Sequence, residues 1–77
     1  MKKFGVLSGI GELCLSDLGK DGEVKVKVSR STNSYMIASI PILRLEKSVG
    51  YSEDERSRFM EYVTSNAHVM LREVVCE

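Results

Sequence analysis

The stretch Glu23 to Ser29, Glu-Val-Lys-Val-Lys-Val-Ser, alternates apolar and polar positions without a slip. Successive side chains of a strand point to opposite faces, so Val24, Val26 and Val28 line one face and Lys25 and Lys27 the other. A helix would scatter the three valines around its circumference. Upstream, Leu13 and Leu15 repeat the period of two, and Gly19-Lys20-Asp21-Gly22 marks a turn between the two runs. Folding back there sets Leu15 opposite Val26 and Leu13 opposite Val28, the kind of cross-strand apolar pair that stabilises a sheet. Ile10, Leu13, Cys14 and Leu18 also fit one face of a short helix, so residues 8 to 18 carry two readings, of which pairing favours the strand.

Downstream, Ser31-Thr32-Asn33-Ser34 is a second turn, small and polar throughout. The next strand is expected from Tyr35 to about Leu45. A three-residue loop pairs Val28 with Ala38, Val26 with Ile40 and Val24 with Ile42. Pro41 lacks an amide hydrogen and suits an edge strand or a bulge, and a bulge there turns Leu43 and Leu45 inward. This makes Tyr35 to Ile40 an edge strand, free to pair with a second copy of the chain, with a partner, or with a short N-terminal strand over Phe4 to Ser8.

Ser52-Glu53-Asp54-Glu55 reads as a helix start, with Ser52 as the cap and Glu55 completing a capping box. Phe59, Met60, Val63, Ala67, Met70, Leu71 and Val74 follow at three- and four-residue intervals, predicting an amphipathic helix to about Arg72 or Val74. Its apolar stripe is expected to cover the valine face. The predicted fold is one α+β domain over residues 1–77: a three-stranded antiparallel sheet, four-stranded with the N-terminal segment, and one C-terminal helix packed on one face.

Composition narrows the functions. A chain of 77 residues has one thin core, and a deep substrate cavity would compete for it. Lys and Arg number 11 and so do Asp and Glu, so no net field steers the chain to nucleic acid or anionic lipid. The apolar run from Met36 to Leu43 is interrupted by Ser39 and Pro41 and is too short to span a bilayer. Phe4 to Leu7 is too short for a signal-peptide core. Two cysteines, Cys14 and Cys76, suit a reducing, cytoplasmic location better than a secreted scaffold; a Cys14–Cys76 disulfide is the minor alternative.

Catalytic signals are weak. His68 is the only histidine, and spacing places it near Glu61, Thr64, Ser65 and Arg72 on the polar side of the helix, with no nucleophile beside it. Cys14 falls beside Lys25 and Lys27 on the open sheet face, but no histidine is near it. Gly5, Gly9 and Gly11 lack the Gly-Lys-Ser/Thr of a phosphate loop, and turns or close backbone approaches explain them better. The cysteines and histidine match no zinc spacing, and the acidic residues lack the order of a calcium loop. The chain reads as non-enzymatic, without metal or cofactor.

The order of three strands and a helix resembles that of double-stranded-RNA-binding domains. Those domains place lysines at the start of the last helix, where this chain has Glu53, Asp54 and Glu55, which repel phosphate. The resemblance therefore stops at element order. The more informative surface is the open sheet face, which on this reading carries Cys14, Ser16, Lys25, Lys27, Tyr35, Ile37 and Ser39. Lysines beside an exposed tyrosine and isoleucine suit a protein-binding face. They also suit a single-stranded nucleic-acid platform. The leading expectation is a small protein-binding module, an adaptor or inhibitor that occupies a partner's surface. Its binding residues are expected to be Tyr35, Ile37, Lys25 and Lys27, with Arg56 and Arg58 on the exposed part of the helix as second choice. Small domains of this size and architecture are frequent among phage and mobile-element proteins, including inhibitors of host defence. The alternative is a small nucleic-acid-binding regulator using the same face.

Overall fold

The structure, a computed structural model, describes residues 2–75. Five strands precede one helix: β1 (Lys2–Leu7), β2 (Gly11–Leu15), β3 (Val24–Ser31), β4 (Ser34–Ile40), β5 (Arg44–Val49) and α1 (Glu53–Val75). The strands form one antiparallel sheet in chain order, so each hairpin pairs neighbours and no connection crosses the sheet.

Alternation fixes the two faces as expected. Leu13, Leu15, Val24, Val26, Val28, Met36, Ala38 and Ile40 are all buried on one side. Leu13 lies opposite Val28 and Leu15 opposite Val26, the pairs that the Gly19–Gly22 turn implied. That turn closes with Gly22 N donating to Gly19 O, and Glu23 N donates to the Asp21 carboxylate. Residues 11–15 are therefore strand, and the helical reading of this region is set aside.

α1 lies across the buried face and places Phe59, Val63 and Met70 in the core, with Met60, Ala67, Leu71 and Val74 packed at its margin. Its start is the capping box: Glu55 N donates to Ser52 Oγ at 3.2 Å and Ser52 N donates to Glu55 Oε1 at 2.9 Å.

Five expectations are corrected. The sheet has five strands, because the strand expected from Tyr35 to about Leu45 stops at Ile40 and the chain turns at Pro41 into β5, which continues past Leu45 to Val49. Pro41 has a fixed φ and no N–H to give a ladder, so the chain turns there instead of bulging. Leu45 does pack against the core, but Ile42 and Leu43 are exposed in the turn.

The β3–β4 register is two residues tighter than expected: Val28 faces Met36, Val26 faces Ala38 and Val24 faces Ile40. Ser31 pairs with Ser34 around a two-residue loop, and a bulge between Ser29 and Ser31 absorbs the remainder. A shift of two preserves which side chains share a face.

β4 is not an edge, since β3 and β5 flank it. Tyr35 to Ile40 therefore has no free backbone side for a homodimer or a docking strand. The N-terminal strand forms, but it pairs with β2 at the far edge of the sheet. Cys14 is a free thiol, and the Cys14–Cys76 alternative lies outside the described residues.

Two glycines sit where a side chain does not fit. Gly11 (φ +141°) lies where a Cβ would overlap the Ser29 carbonyl, and Gly50 (φ +77°) lies where one would come within 2.8 Å of the Asn33 carbonyl oxygen. Both are close backbone approaches.

Candidate functional site

The strand registers assemble the open face into rows. Lys3, Cys14, Lys27, Ile37 and Lys47 stand side by side across all five strands. The adjacent row is Val6, Glu12, Ser29, Tyr35 and Val49. On the other side of the first row, Lys25 lies opposite Ser39 and Ser39 opposite Arg44. The expected group of Lys25, Lys27, Tyr35 and Ile37 is thus on one surface. Lys47, Val49, Glu46 and Arg44 join it from β5; of these only Arg44 lies within the strand expected to end at about Leu45. The turn at Pro41 places them there.

The two expected lysines are in different electrostatic settings. Lys25 bonds the Glu46 carboxylate and lies 3.9 Å from Glu23. Arg44 lies 3.5 Å from Glu23 and 4.0 Å from Glu46. The Lys25 bond is the main reason that the Glu46 carboxyl is held below the ordinary glutamate range; the nearby Ser39 hydroxyl adds to it. Ser39 Oγ itself makes no hydrogen bond of good geometry and is fully buried beneath this network. The same Glu46 bond raises the Lys25 ammonium above its usual value. At the far edge, Lys3 pairs with Glu12 at 3.8 Å.

Lys27 and Lys47, by contrast, have no carboxylate partner among the described residues. Both ammonium groups lie 5.5 Å from the centroid of the Tyr35 ring, one reaching from β3 and the other from β5. Such contacts are attractive through the ring quadrupole. Tyr35 also holds the Lys47 ammonium above the ordinary lysine value, chiefly through its hydroxyl. The centre of the face therefore carries two cations, one aromatic ring and the half-buried Ile37, inside a margin whose charges neutralise one another.

Arg56 and Arg58 do not belong to this surface, because α1 covers the opposite side of the sheet. Arg56 is half-buried rather than exposed, and its Nη1 donates to the Tyr51 carbonyl at 3.1 Å. That contact ties the helix to the loop before it, which removes Arg56 from the candidate list as a free surface group. Arg58 is exposed, 3.8 Å from Asp54 on its own helix. It lines a shallow cleft of about 370 Å³ between the β1–β2 turn and α1, with Leu7, Glu61 and Tyr62. His68 is exposed on the helix.

A second cluster escaped the sequence reading. Tyr51 is buried between β5 and α1, and its hydroxyl donates to the Ile10 carbonyl at 2.7 Å. Burial pushes this phenol above its ordinary value. Arg30 stacks on the Tyr51 ring at 4.5 Å, pairs with Glu55 at 2.6 Å and donates to the carbonyls of Gly9 and Gly50. It fastens together the β1–β2 turn, the end of β5 and the helix start. An arginine just before a polar turn gives no local sign of this, since all its partners are distant in sequence.

Among the described residues, no three His, Cys, Asp or Glu side chains converge on a point where a metal ion would be held. No helix among them is long and apolar enough to cross a membrane. Comparison with family models, with curated proteins and with solved structures gives no match.

Proposed function

We propose that the chain is a small protein-binding module, acting as an adaptor or inhibitor by laying the open sheet face on a partner's surface. The observation that carries this reading is the centre of the face: Tyr35 between Lys27 and Lys47, next to Ile37. Interfaces favour an aromatic anchor with apolar neighbours and a polar rim. Here Ile37 and Val49 supply the apolar ground, and the paired charges of Lys3, Glu12, Glu23, Lys25, Arg44 and Glu46 supply the rim. In this reading Lys25 is a rim residue held in place by Glu46, and Tyr35, Ile37 and Lys27 are the binding residues. Lys47 joins them. The proposal includes action in a cytoplasm and, by analogy of size and architecture alone, an origin in a phage or mobile element.

A nucleic-acid regulator is the second reading, favoured by the two lysines around an aromatic ring. Single-strand platforms stack successive bases on several aromatics along a continuous positive groove. This face has one such ring, and Glu12, Glu23 and Glu46 interrupt the positive charge.

The test is affinity capture from bacterial lysate, with and without nuclease, using the native chain and a Tyr35→Ser, Ile37→Ser variant. A stoichiometric protein that survives nuclease and is lost with the variant supports the module. Capture that disappears with nuclease supports the regulator. A protein retained equally by the variant overturns the assignment of this face.

A further inference from the structure

The charges of the open face are unevenly spent. Its five cations are Lys3, Lys25, Lys27, Arg44 and Lys47, and its three carboxylates are Glu12, Glu23 and Glu46. Every carboxylate is within ion-pair distance of Lys3, Lys25 or Arg44, and none is within that distance of Lys27 or Lys47. The excess positive charge is thus concentrated at one place, around Tyr35 and Ile37, although the chain as a whole has a formal net charge of +0.

Resting on the reading of this face as a protein-binding surface, we infer that its partner presents an acidic segment, with carboxylates meeting Lys27 and Lys47 and an apolar side chain between them covering Ile37. Three features fit this occupant. Lys27 and Lys47 flank Ile37 directly in one row across β3, β4 and β5, so two charged contacts bracket an apolar one. The Tyr35 ring holds both ammonium groups on the face, so less side-chain freedom is lost when a carboxylate arrives. The glutamates around the centre leave room for a few separated carboxylates but oppose the evenly spaced phosphates of a nucleic-acid strand, whose affinity depends on neutralising many of them at once.

The probe is a capped, amidated peptide in which two glutamates stand on each side of a leucine, titrated into the isotope-labelled 77-residue chain and followed by backbone amide shifts. Controls are the same peptide with glutamine for glutamate, an oligothymidylate, and the Lys27→Gln, Lys47→Gln variant, whose retained shift dispersion shows that it folds. The expected result is a shift set centred on Lys27, Tyr35, Ile37 and Lys47. Binding should be at least about tenfold weaker with the glutamine peptide and with the variant, a difference of about 1.4 kcal/mol. Equal binding of the glutamine peptide, shifts centred elsewhere, no shifts at millimolar peptide, or tighter binding of oligothymidylate would each overturn the inference. Failure here leaves the module reading to the capture experiment. If that experiment finds a partner lost with Tyr35→Ser, Ile37→Ser, the face is right and its partner chemistry is wrong.

Discussion

The Tyr51 hydroxyl donates a 2.7 Å hydrogen bond to the carbonyl of Ile10, 41 residues earlier in the chain. One end of the sheet is closed by this contact. It joins the β1–β2 turn to the segment that leads into α1, and Arg30 covers the ring from outside.

Tyr51→Phe should keep the ring and lose the bond, leaving the Ile10 carbonyl without that donor. The expected cost is about 1–2 kcal/mol, measured as a lower urea midpoint with an unchanged slope. Amide exchange should speed up around Gly9 to Gly11. An unchanged midpoint would show that the hydroxyl contributes nothing net.

Acid should weaken this end of the molecule and the Lys25–Glu46 contact on the open face. The Glu55 carboxyl is held below the ordinary glutamate range, first by the Ser52 backbone N–H and then by Arg30, and Glu46 is lowered by Lys25. A carboxyl whose folded pKa lies below its unfolded one binds fewer protons folded than unfolded. Its stabilisation is present above the unfolded value and is lost as pH falls through the folded one. Thermal midpoints at constant ionic strength should therefore drop as pH falls from about 5 to about 3, around the ordinary glutamate value. Arg30→Gln should flatten part of that drop. An identical slope in the variant would show that the Arg30–Glu55 pair does not set it.

Glycine substitutions should separate by position. Gly50→Ala places a Cβ 2.8 Å from the Asn33 carbonyl oxygen at φ +77°, a backbone conformation that alanine rarely adopts. The expected loss is about 1–3 kcal/mol. Gly5→Ala meets nothing within 4 Å and should leave stability within about 0.5 kcal/mol. Comparable losses in chemical denaturation of the two variants would contradict the close approach at Gly50.

Ser48 points toward the core side of β5, opposite Met36, and its hydroxyl is buried without a hydrogen-bond partner. A buried polar group left unpaired costs about 1–3 kcal/mol. Ser48→Ala should accordingly raise the thermal midpoint, because it removes the hydroxyl and keeps the backbone. A lower midpoint would mean that the hydroxyl finds a partner in solution.

What the sequence determined by itself is whatever depends on local period. Alternation assigned Val24, Val26, Val28, Leu13 and Leu15 to the core and Lys25, Lys27, Tyr35 and Ile37 to the open face. These assignments survived a register error of two residues, because parity is unaffected by an even shift. The capping box at Ser52 and Glu55 and the stripe from Phe59 to Val74 were legible for the same reason: their partners lie within a turn or two of helix. Tertiary structure alone decided which strands have neighbours. β4 became interior because the chain after Pro41 turned back and paired with it, and pairing between separate segments has no signature in either segment. It also decided which charges remain unpaired. Lys25 and Lys27 are two residues apart on the same strand, yet Glu46 reaches only Lys25. Arg30, Tyr51 and Ile10 meet through loops whose paths depend on the finished sheet.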